Sequence, residues 1–302
     1  MVSYDHENPM DQAYQLRQLM EGPRPASPVN QRAHIIAVAS GKGGVGKTQV
    51  AVNLSIALAA RNYRILLLDL DMGLANADLV LGLESTASWS DLFDGRRELD
   101  DNIISGPGGL DFVPGASGVA RMAGLSEFER HQLLAAVRRL ESRYDLIVLD
   151  CGAGISPNVL TFAAAADTIL VVTTPEPTAI TDAYAAIKAF VWEQNNRGGV
   201  GQAAGIGLIV NMAESRREGR ETFERLAGVA ARFLHLPVND YGYILRDEHV
   251  PAAVRQRHPV ILHYPRCSAC TCLMATAARL ARELGQSQEP ESLFYRVMNM
   301  FL

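Results

Sequence analysis

Continuous apolar runs, each followed by glycine or polar residues, recur along this chain and predict strands that are buried on both faces. Between them, apolar residues return every three or four positions, as on one face of a helix. The predicted strands are His34–Ser40, Arg64–Asp71, Tyr144–Asp150, Asp167–Thr173 and Gly205–Asn211, with a shorter one within Gly108–Gly115. The predicted helices are Gln49–Arg61, Glu127–Arg143 and Ala179–Glu193. This alternation predicts an α/β fold with a doubly wound, mostly parallel sheet flanked by helices.

A glycine-rich loop joins the first predicted strand to the first predicted helix. Its sequence, Gly41-Lys-Gly-Gly-Val-Gly-Lys-Thr48, matches the pattern G-x-x-x-x-G-K-S/T of phosphate-binding loops. The glycines let backbone N–H groups turn inward, and the helix N-terminus adds its positive end. We therefore predict that the chain binds a nucleoside triphosphate, with Lys47 at the β- and γ-phosphates and Thr48 on Mg²⁺. The predicted binding residues are Gly41, Lys42, Gly43, Gly44, Val45, Gly46, Lys47, Thr48 and Gln49.

The alternative interpretation of this loop is a glycine-rich turn that binds nothing. At average residue usage, a chance match in a chain of this length has a probability of about one or two per cent. The strand before the loop and the helix after it lower that probability further.

Carboxylates close two of the predicted strands. Asp69 and Asp71 end the second strand, and Asp150 ends the strand that begins at Tyr144. The carboxyl ends of parallel strands lie beside the phosphate loop. We predict that Asp150 holds Mg²⁺, that Asp71 orients the attacking water, and that Asp69 fixes either the metal or the loop behind it. The alternative is that acidic residues end strands because the chain re-enters solvent there.

Composition places further limits on function. The 302 residues are 48% hydrophobic, and the net charge of −5 gives no indication of nucleic-acid binding. No apolar run is long enough to cross a membrane, and the N-terminus lacks the pattern of a secretory signal. Four cysteines do not make a disulfide framework in a chain of this size. We therefore expect a cytoplasmic protein.

The two ends of the chain are predicted to be appendages of a domain that spans residues 31–285. Within residues 1–30, a short helix with Ala13 and Leu16 on one stripe precedes a proline-rich tether, an arrangement suited to partner docking. A disordered tail is the alternative. Residues 286–302 predict an amphipathic helix that lies in a membrane interface, or else packs back onto the domain. Its apolar arc includes Leu293, Phe294, Val297, Met298, Phe301 and Leu302.

Cys267, Cys270 and Cys272 raise a competing hypothesis. The first two form a C-x-x-C pair, which occurs in iron–sulfur carriers of the Mrp type, and two subunits would supply the four thiolates of a cluster. Against this, the segment that begins at Ser268 predicts a helix of small residues, in which cysteine packs as a small hydrophobe.

The loop contains an additional lysine, Lys42, ahead of Lys47. With this lysine the loop resembles the deviant Walker A motif of the MinD/ParA ATPases, a SIMIBI-type group of P-loop proteins. The resemblance implies an ATP-dependent homodimer in which Lys42 reaches the other subunit's phosphates, so that Lys42, Lys47 and Asp71 are catalytic. It implies Mg²⁺ held by Thr48, Asp69, Asp71 and Asp150, and adenine contacts from Asn211, Leu245 and Asp247. The implied switch residues are Gly73, Asn76, Gly152 and Gly154. Cys151-Gly-Ala-Gly154 departs from the usual Ser-Pro-Ala-Gly or Thr-Ala-Ala-Gly of this family.

Within that family the chain resembles the flagellar-number regulators of the FlhG, FleN or YlxH type. Two segments carry the resemblance: Asp11-Gln-Ala-Tyr-Gln-Leu-Arg17, and Glu176-Pro-Thr-Ala-Ile-Thr-Asp-Ala-Tyr184. The resemblance implies that a helix with Asp11, Gln12, Ala13, Leu16 and Arg17 stimulates the signal-recognition-type GTPase FlhF. It also implies restraint of a flagellar master transcription activator of the FleQ or FlrA type, contact with flagellar C-ring proteins, and reversible binding to the inner membrane at the cell pole. A division-site or ParA-like positioning ATPase is the alternative within the family.

Overall fold

The computed structural model describes residues 32–71, 76–84, 98–115, 126–196 and 204–284. The predicted N-terminal activating helix, the C-terminal amphipathic helix and the switch residue Gly73 lie outside the described residues. The domain boundaries at residues 31 and 285 therefore stay predictions.

A single sheet of eight strands runs through the described part of the chain. Its strands lie in the order β3-β4-β2-β5-β1-β6-β7-β8, and all neighbouring pairs are parallel except β3 and β4. The strands are His34–Ser40 (β1), Ile65–Leu70 (β2), Ile104–Ser105 (β3), Asp111–Val113 (β4), Leu146–Ala153 (β5), Thr168–Thr173 (β6), Gly205–Ala213 (β7) and Asn239–Leu245 (β8). The predicted doubly wound, mostly parallel sheet is confirmed.

Helices cover both faces of the sheet. They are Lys47–Ala59 (α1), Ala77–Leu81 (α2), Glu127–Leu140 (α3), Pro157–Ala164 (α4), Pro177–Asn196 (α5), Arg216–Leu234 (α6), His249–Arg255 (α7), Val260–His263 (α8) and Ser268–Glu283 (α9), with 3-10 turns at Leu99–Asn102 and Pro107–Gly109. Helices α3 to α6 pack on one face, and α1, α2 and α7 to α9 pack on the other. Among the described helices, none combines the length and the apolar character that crossing a bilayer requires.

The continuous apolar runs form strands because each central strand has a helical layer on both sides. In β1, Ile35 and Ala37 enter one core while Ile36 and Val38 enter the other, and all four are at most 3% exposed. Removing an isoleucine or leucine side chain from water contributes about 1.5–3 kcal/mol. The alternation also places Asp69 and Asp150 on the face that carries α1, because they follow Leu67 and Val148 by two positions.

Several predicted boundaries are wrong in an instructive way. Strand β5 does not end at Asp150 but continues to Ala153, which pairs with Ser40, and β7 continues past Asn211 to Ala213. Solvent re-entry, the alternative interpretation for polar residues at strand ends, does not explain these positions. Asp150 and Asn211 are instead buried, at 0% and 7% exposure, because each has a polar partner inside the protein. Helix α1 begins two residues earlier than predicted, at Lys47.

Strand β8 was not predicted, because Asn239, Asp240 and Gly242 have low strand propensity. Tertiary packing forms it. The ring of Tyr241 fills the space above Gly207 of β7, where a Cβ atom would lie 2.0 Å from Tyr241 Cε2. The Tyr241 hydroxyl donates a hydrogen bond to Glu283 of α9. The edge of the sheet is therefore anchored by one aromatic side chain against one glycine.

We predict that Gly207→Ala destabilises the protein by about 1–3 kcal/mol, because the added methyl group displaces the Tyr241 ring in a packed core. Urea unfolding measures the change. Gly205→Ala is the matched control: it lies at the start of the same strand with no atom within 4 Å of the new Cβ, so its free energy of unfolding should change by less than about 0.5 kcal/mol. Equal effects in the two variants would contradict the packing role of Gly207.

Candidate nucleotide-binding site

The glycine-rich loop lies at the carboxyl end of β1, near the centre of the sheet, and leads into α1. Gly44 and Gly46 adopt φ values of 82° and 83°, a left-handed conformation that favours glycine. Gly41 passes so close to α5 that a Cβ atom would lie 2.0 Å from the backbone oxygen of Asp182. The loop therefore requires glycine at three positions, for conformation at two and for close packing at one.

Asn211, on strand β7, binds the phosphate loop. Its side-chain Nδ2 donates a hydrogen bond of 2.8 Å to the backbone oxygen of Val45, and the contact is buried. Asn211 and Leu245 lie near the carboxyl ends of the adjacent strands β7 and β8. Asp247 follows β8 and accepts hydrogen bonds from the backbone of His249 and of Ala269. The adenine roles of Asn211, Leu245 and Asp247 stay predictions.

Lys47 points inward and meets Asp150. The distance from Lys47 Nζ to Asp150 Oδ1 is 2.5 Å, and the two side chains are 6% and 0% exposed. Burial lowers the pKa of the Lys47 ammonium, but the charge of Asp150 and the hydrogen bond to it outweigh burial and raise that pKa above its usual value. Lys47 is therefore a charged group, held at the floor of the loop by a buried carboxylate.

The second carboxylate oxygen of Asp150 shows whether the residues present could bind Mg²⁺. Asp150 Oδ2 is buried and has no hydrogen-bond partner among the described residues. The Thr48 hydroxyl lies 3.5 Å from Lys47 Nζ, beside the same carboxylate. Mg²⁺ prefers oxygen ligands and commonly combines one or two protein groups with phosphate oxygens and water. Thr48 and Asp150 fit that requirement. The described residues contain no group of three or more His, Cys, Asp or Glu side chains suited to a metal ion, so phosphate and water would have to complete the coordination.

Asp69 has a different environment from Asp150, although the two are paired neighbours on β2 and β5. Its oxygens accept hydrogen bonds from the backbone N–H groups of Asp71, Asn76 and Ala77, at 3.0 to 3.1 Å. Burial, followed by the charge of Asp150, raises the pKa of Asp69 to about 7. Of the two predicted roles, the geometry favours the anchoring of the loop, because both oxygens are engaged by backbone on either side of residues 72–75.

Asp71 and the predicted switch residues Gly152, Gly154 and Asn76 lie at the same edge of the sheet as Asp69. The Asp71 carboxylate lies against Gly152, with Oδ1 3.7 Å from the position of a Cβ atom on that glycine. Gly154 has a φ of 86°, and its N–H donates to the backbone oxygen of Ser40. Asn76 precedes α2. Asp71 therefore sits where β2 and β5 both leave the sheet, next to the phosphate loop, and its hydrolytic role stays a prediction.

Lys42, the additional lysine of the loop, lies at the surface. Lys42 Nζ is 3.1 Å from Glu176 Oε2 and 3.1 Å from the Thr178 hydroxyl, and its side chain is 39% exposed. Sequence reasoning used Glu176 and Thr178 only to recognise a subfamily and did not assign them a contact. The signal in the sequence was Glu176-Pro-Thr178, which begins three residues after the end of the buried strand β6, at the same edge of the sheet as the loop.

We predict that Asp69→Ala frees the backbone on both sides of residues 72–75. Loss of hydrogen bonds to a buried carboxylate should speed hydrogen exchange at the amides of Asp71, Asn76 and Ala77 by about tenfold or more. Hydrogen exchange followed by mass spectrometry measures this. Asp78→Ala is the control, because the Asp78 carboxylate bonds the adjacent Leu79 N–H instead. Unchanged exchange in Asp69→Ala would show that this carboxylate does not hold the segment.

Comparisons with known proteins agree with this geometry. A family model described as an AAA domain matches residues 33–196. The antiactivator FleN of Pseudomonas aeruginosa is 42% identical over 246 residues, which cover 82% of this chain and 85% of FleN. The flagellum site-determining protein YlxH of Helicobacter pylori is 34% identical over 250 residues, which cover 82% of each chain.

The fold is also similar to that of a solved structure. The septum site-determining protein MinD complexed with Mg-ADP, from Pyrococcus horikoshii, aligns with a TM-score of 0.70 over 84% of this chain and 98% of that chain, at 24% sequence identity. At that identity the likeness shows the fold alone, whereas the two sequence relatives show membership. The chain belongs to the MinD/ParA family of P-loop ATPases, in the group that contains FleN and YlxH.

Proposed function

We propose that this chain is an ATP-dependent switch that dimerises around nucleotide, hydrolyses ATP to ADP and phosphate, and thereby controls the number and placement of flagella. The observation that carries the proposal is the opposite placement of the two lysines in one loop. Lys47 is 6% exposed and paired with Asp150, whereas Lys42 is 39% exposed and rests on Glu176 and Thr178. One lysine thus serves its own phosphates, and the other is available to a second copy.

The surroundings of Lys42 support a second copy as its partner. Ile155, which follows the predicted switch glycine Gly154, is 52% exposed. The N–H of Gly154 donates to the backbone oxygen of Ser40, so this exposed apolar side chain lies near the start of the charged loop. An apolar contact there, with a lysine crossing between subunits, makes hydrolysis depend on dimerisation, much as an arginine finger does.

The residues of the chain divide the work of hydrolysis. Lys47 binds the β- and γ-phosphates once the incoming charge competes with Asp150. Thr48 and Asp150 would hold Mg²⁺, which would neutralise negative charge on the phosphate oxygens. Asp71 positions the water, and Asp69 keeps Asp71 in place through its backbone N–H. Return to ADP releases the dimer.

The first test compares two substitutions. With ATP and Mg²⁺, Asp71→Ala should form a stable dimer and release phosphate at least about a hundredfold more slowly than the unaltered chain, because nucleotide contacts remain and water orientation is lost. Lys42→Ala should bind nucleotide as a monomer. Light scattering after gel filtration measures mass, and a phosphate-release assay measures turnover. If the unaltered chain stays monomeric with saturating ATP, the dimer mechanism is wrong.

The N-terminal segment supplies the proposed link to a second enzyme. The sequence Asp11-Gln-Ala-Tyr-Gln-Leu-Arg17 supports stimulation of the GTPase FlhF, with Gln12 as the residue that reaches its active site. The proline-rich tether after it lets a short helix reach a partner while the ATPase domain stays separate.

Deletion of residues 1–25 should abolish stimulation of FlhF GTP hydrolysis, and Gln12→Ala should remove most of it. Both should leave ATP-dependent dimerisation unchanged, because all of the predicted nucleotide contacts lie between residues 41 and 247. GTP turnover by FlhF, measured with and without this protein, gives the result. Stimulation retained after the deletion would remove the N-terminal segment from this role.

The remaining parts of the proposal concern restraint of a transcription activator and the location of this protein in the cell. FleN bears the name antiactivator, which supports direct binding of a flagellar master transcription activator of the FleQ or FlrA type by this chain. We further propose contact with flagellar C-ring proteins, and reversible attachment of a cytoplasmic protein to the inner membrane through residues 286–302. That segment carries Arg296 as its one cation near the apolar arc, so its attraction to anionic lipid is weak.

A further inference from the structure

A pair of cysteines occupies the N-terminus of α9, on the face of the sheet that also carries α1. Cys267 is the residue that caps this 16-residue helix, and its sulfur accepts a hydrogen bond from the Cys270 backbone N–H at 3.4 Å. The two thiols also share a hydrogen bond, with the Cys267 and Cys270 sulfur atoms 3.2 Å apart. All four cysteines of the chain are free thiols, and this pair is already in sulfur–sulfur contact.

The two thiols differ in exposure and acidity. Cys267 is 8% exposed and lies between the exposed residues Arg266 and Ser268, whereas Cys270 is 0% exposed. The hydrogen bond between the two thiols lowers the pKa of Cys267, although burial opposes it. The same hydrogen bond, together with burial, raises the pKa of Cys270. A capping thiol with stabilised thiolate, followed three residues later by a buried thiol, is the arrangement of a nucleophilic and a resolving cysteine.

We propose that Cys267 and Cys270 form a redox-active dithiol, which a small hydroperoxide oxidises to an intramolecular disulfide. The Cys267 thiolate attacks one peroxide oxygen, the O–O bond breaks, and a sulfenic acid forms while hydroxide leaves. The Cys270 sulfur then attacks the Cys267 sulfur, its proton joins the departing hydroxyl group, and water leaves. In sum, two thiols and one hydrogen peroxide give one disulfide and two waters.

The disulfide would act on the segment that follows β8. A disulfide bond is about 2.05 Å long, so the sulfur atoms must approach by roughly 1 Å. Asp247 holds the Ala269 N–H in the same helical turn at 3.2 Å, and the Leu245 backbone hydrogen-bonds the Cys272 sulfur. Leu245 and Asp247 are predicted adenine contacts, so this consequence rests on the proposed function. We expect oxidation to weaken ADP binding by about threefold or more.

The chemical test treats the full chain with hydrogen peroxide and then maps thiols by mass spectrometry. Trypsin releases residues 267–279, and this peptide should lose about 2 Da, with the loss restored by dithiothreitol. Cys272→Ser is the matched control and should still show the loss. Cys270→Ser should not, and should instead leave a Cys267 sulfenic acid that dimedone captures.

Three results would overturn the dithiol proposal. Cys267 and Cys270 stay reduced after peroxide treatment, or the disulfide forms with Cys272 in place of one of them. The third is stoichiometric iron or zinc that is released from the purified protein and is lost in Cys270→Ser, which would make the two cysteines half of a metal site shared between copies.

A fluorescent ADP analogue then measures the nucleotide consequence. Oxidised Cys272→Ser should bind it at least about threefold more weakly than the reduced form, and peroxide-treated Cys270→Ser should bind as the reduced form does. Equal binding in both redox states would refute the coupling while leaving the disulfide intact. No binding by the reduced protein would refute the proposed function instead, so the two failures are distinguishable.

Discussion

The buried contact between Lys47 and Asp150 is the constraint on which the rest of the site depends. It joins the beginning of α1 to Asp150 within β5, at the carboxyl edge of β1, with both side chains at most 6% exposed. An ammonium or a carboxylate buried alone would cost several kcal/mol, and the pair offsets that cost only while both partners stay in place. The contact therefore fixes the loop in advance of its ligand. It also keeps the lysine charged, which is the state that phosphate binding needs.

Three aspartates lie at this contact: Asp150, which forms it, and Asp69 and Asp71 beside it. Their different surroundings indicate different roles. Asp150 keeps one oxygen without a partner among the described residues, Asp69 has both oxygens engaged by backbone, and Asp71 lies against Gly152 where two strands leave the sheet. A carboxylate with a spare buried oxygen is suited to a cation, whereas a fully engaged one is suited to holding a segment. Three identical side chains within one edge thus have three environments.

The surface around the loop carries the lysine that is proposed to reach a second copy. Lys42 lies outside the buried pair, on Glu176 and Thr178, and the exposed side chain of Ile155 follows Gly154, which binds the backbone of Ser40 at the start of the loop. An exposed ion pair of this kind contributes only about 0–1 kcal/mol, so little free energy opposes its exchange for phosphate. At the other end of the sheet, β8 links the predicted adenine side to the cysteine turn of α9 through Asp247. The predicted nucleotide site thus lies between the exposed Lys42 and the cysteine turn of α9.

The sequence by itself determined the parallel α/β sheet, the phosphate loop and most of its flanking strands, because continuous apolar runs and a glycine-rich turn are local patterns. It also placed Asp69, Asp71 and Asp150 at one edge. Only the tertiary structure decided that β5 and β7 continue past their polar residues, and that β8 exists at all. Both outcomes depend on partners distant in the chain: Lys47 for Asp150, Val45 for Asn211, and Gly207 for Tyr241. The resting position of Lys42 has the same origin, since a contact with Glu176 across 134 residues leaves no periodic trace in the sequence.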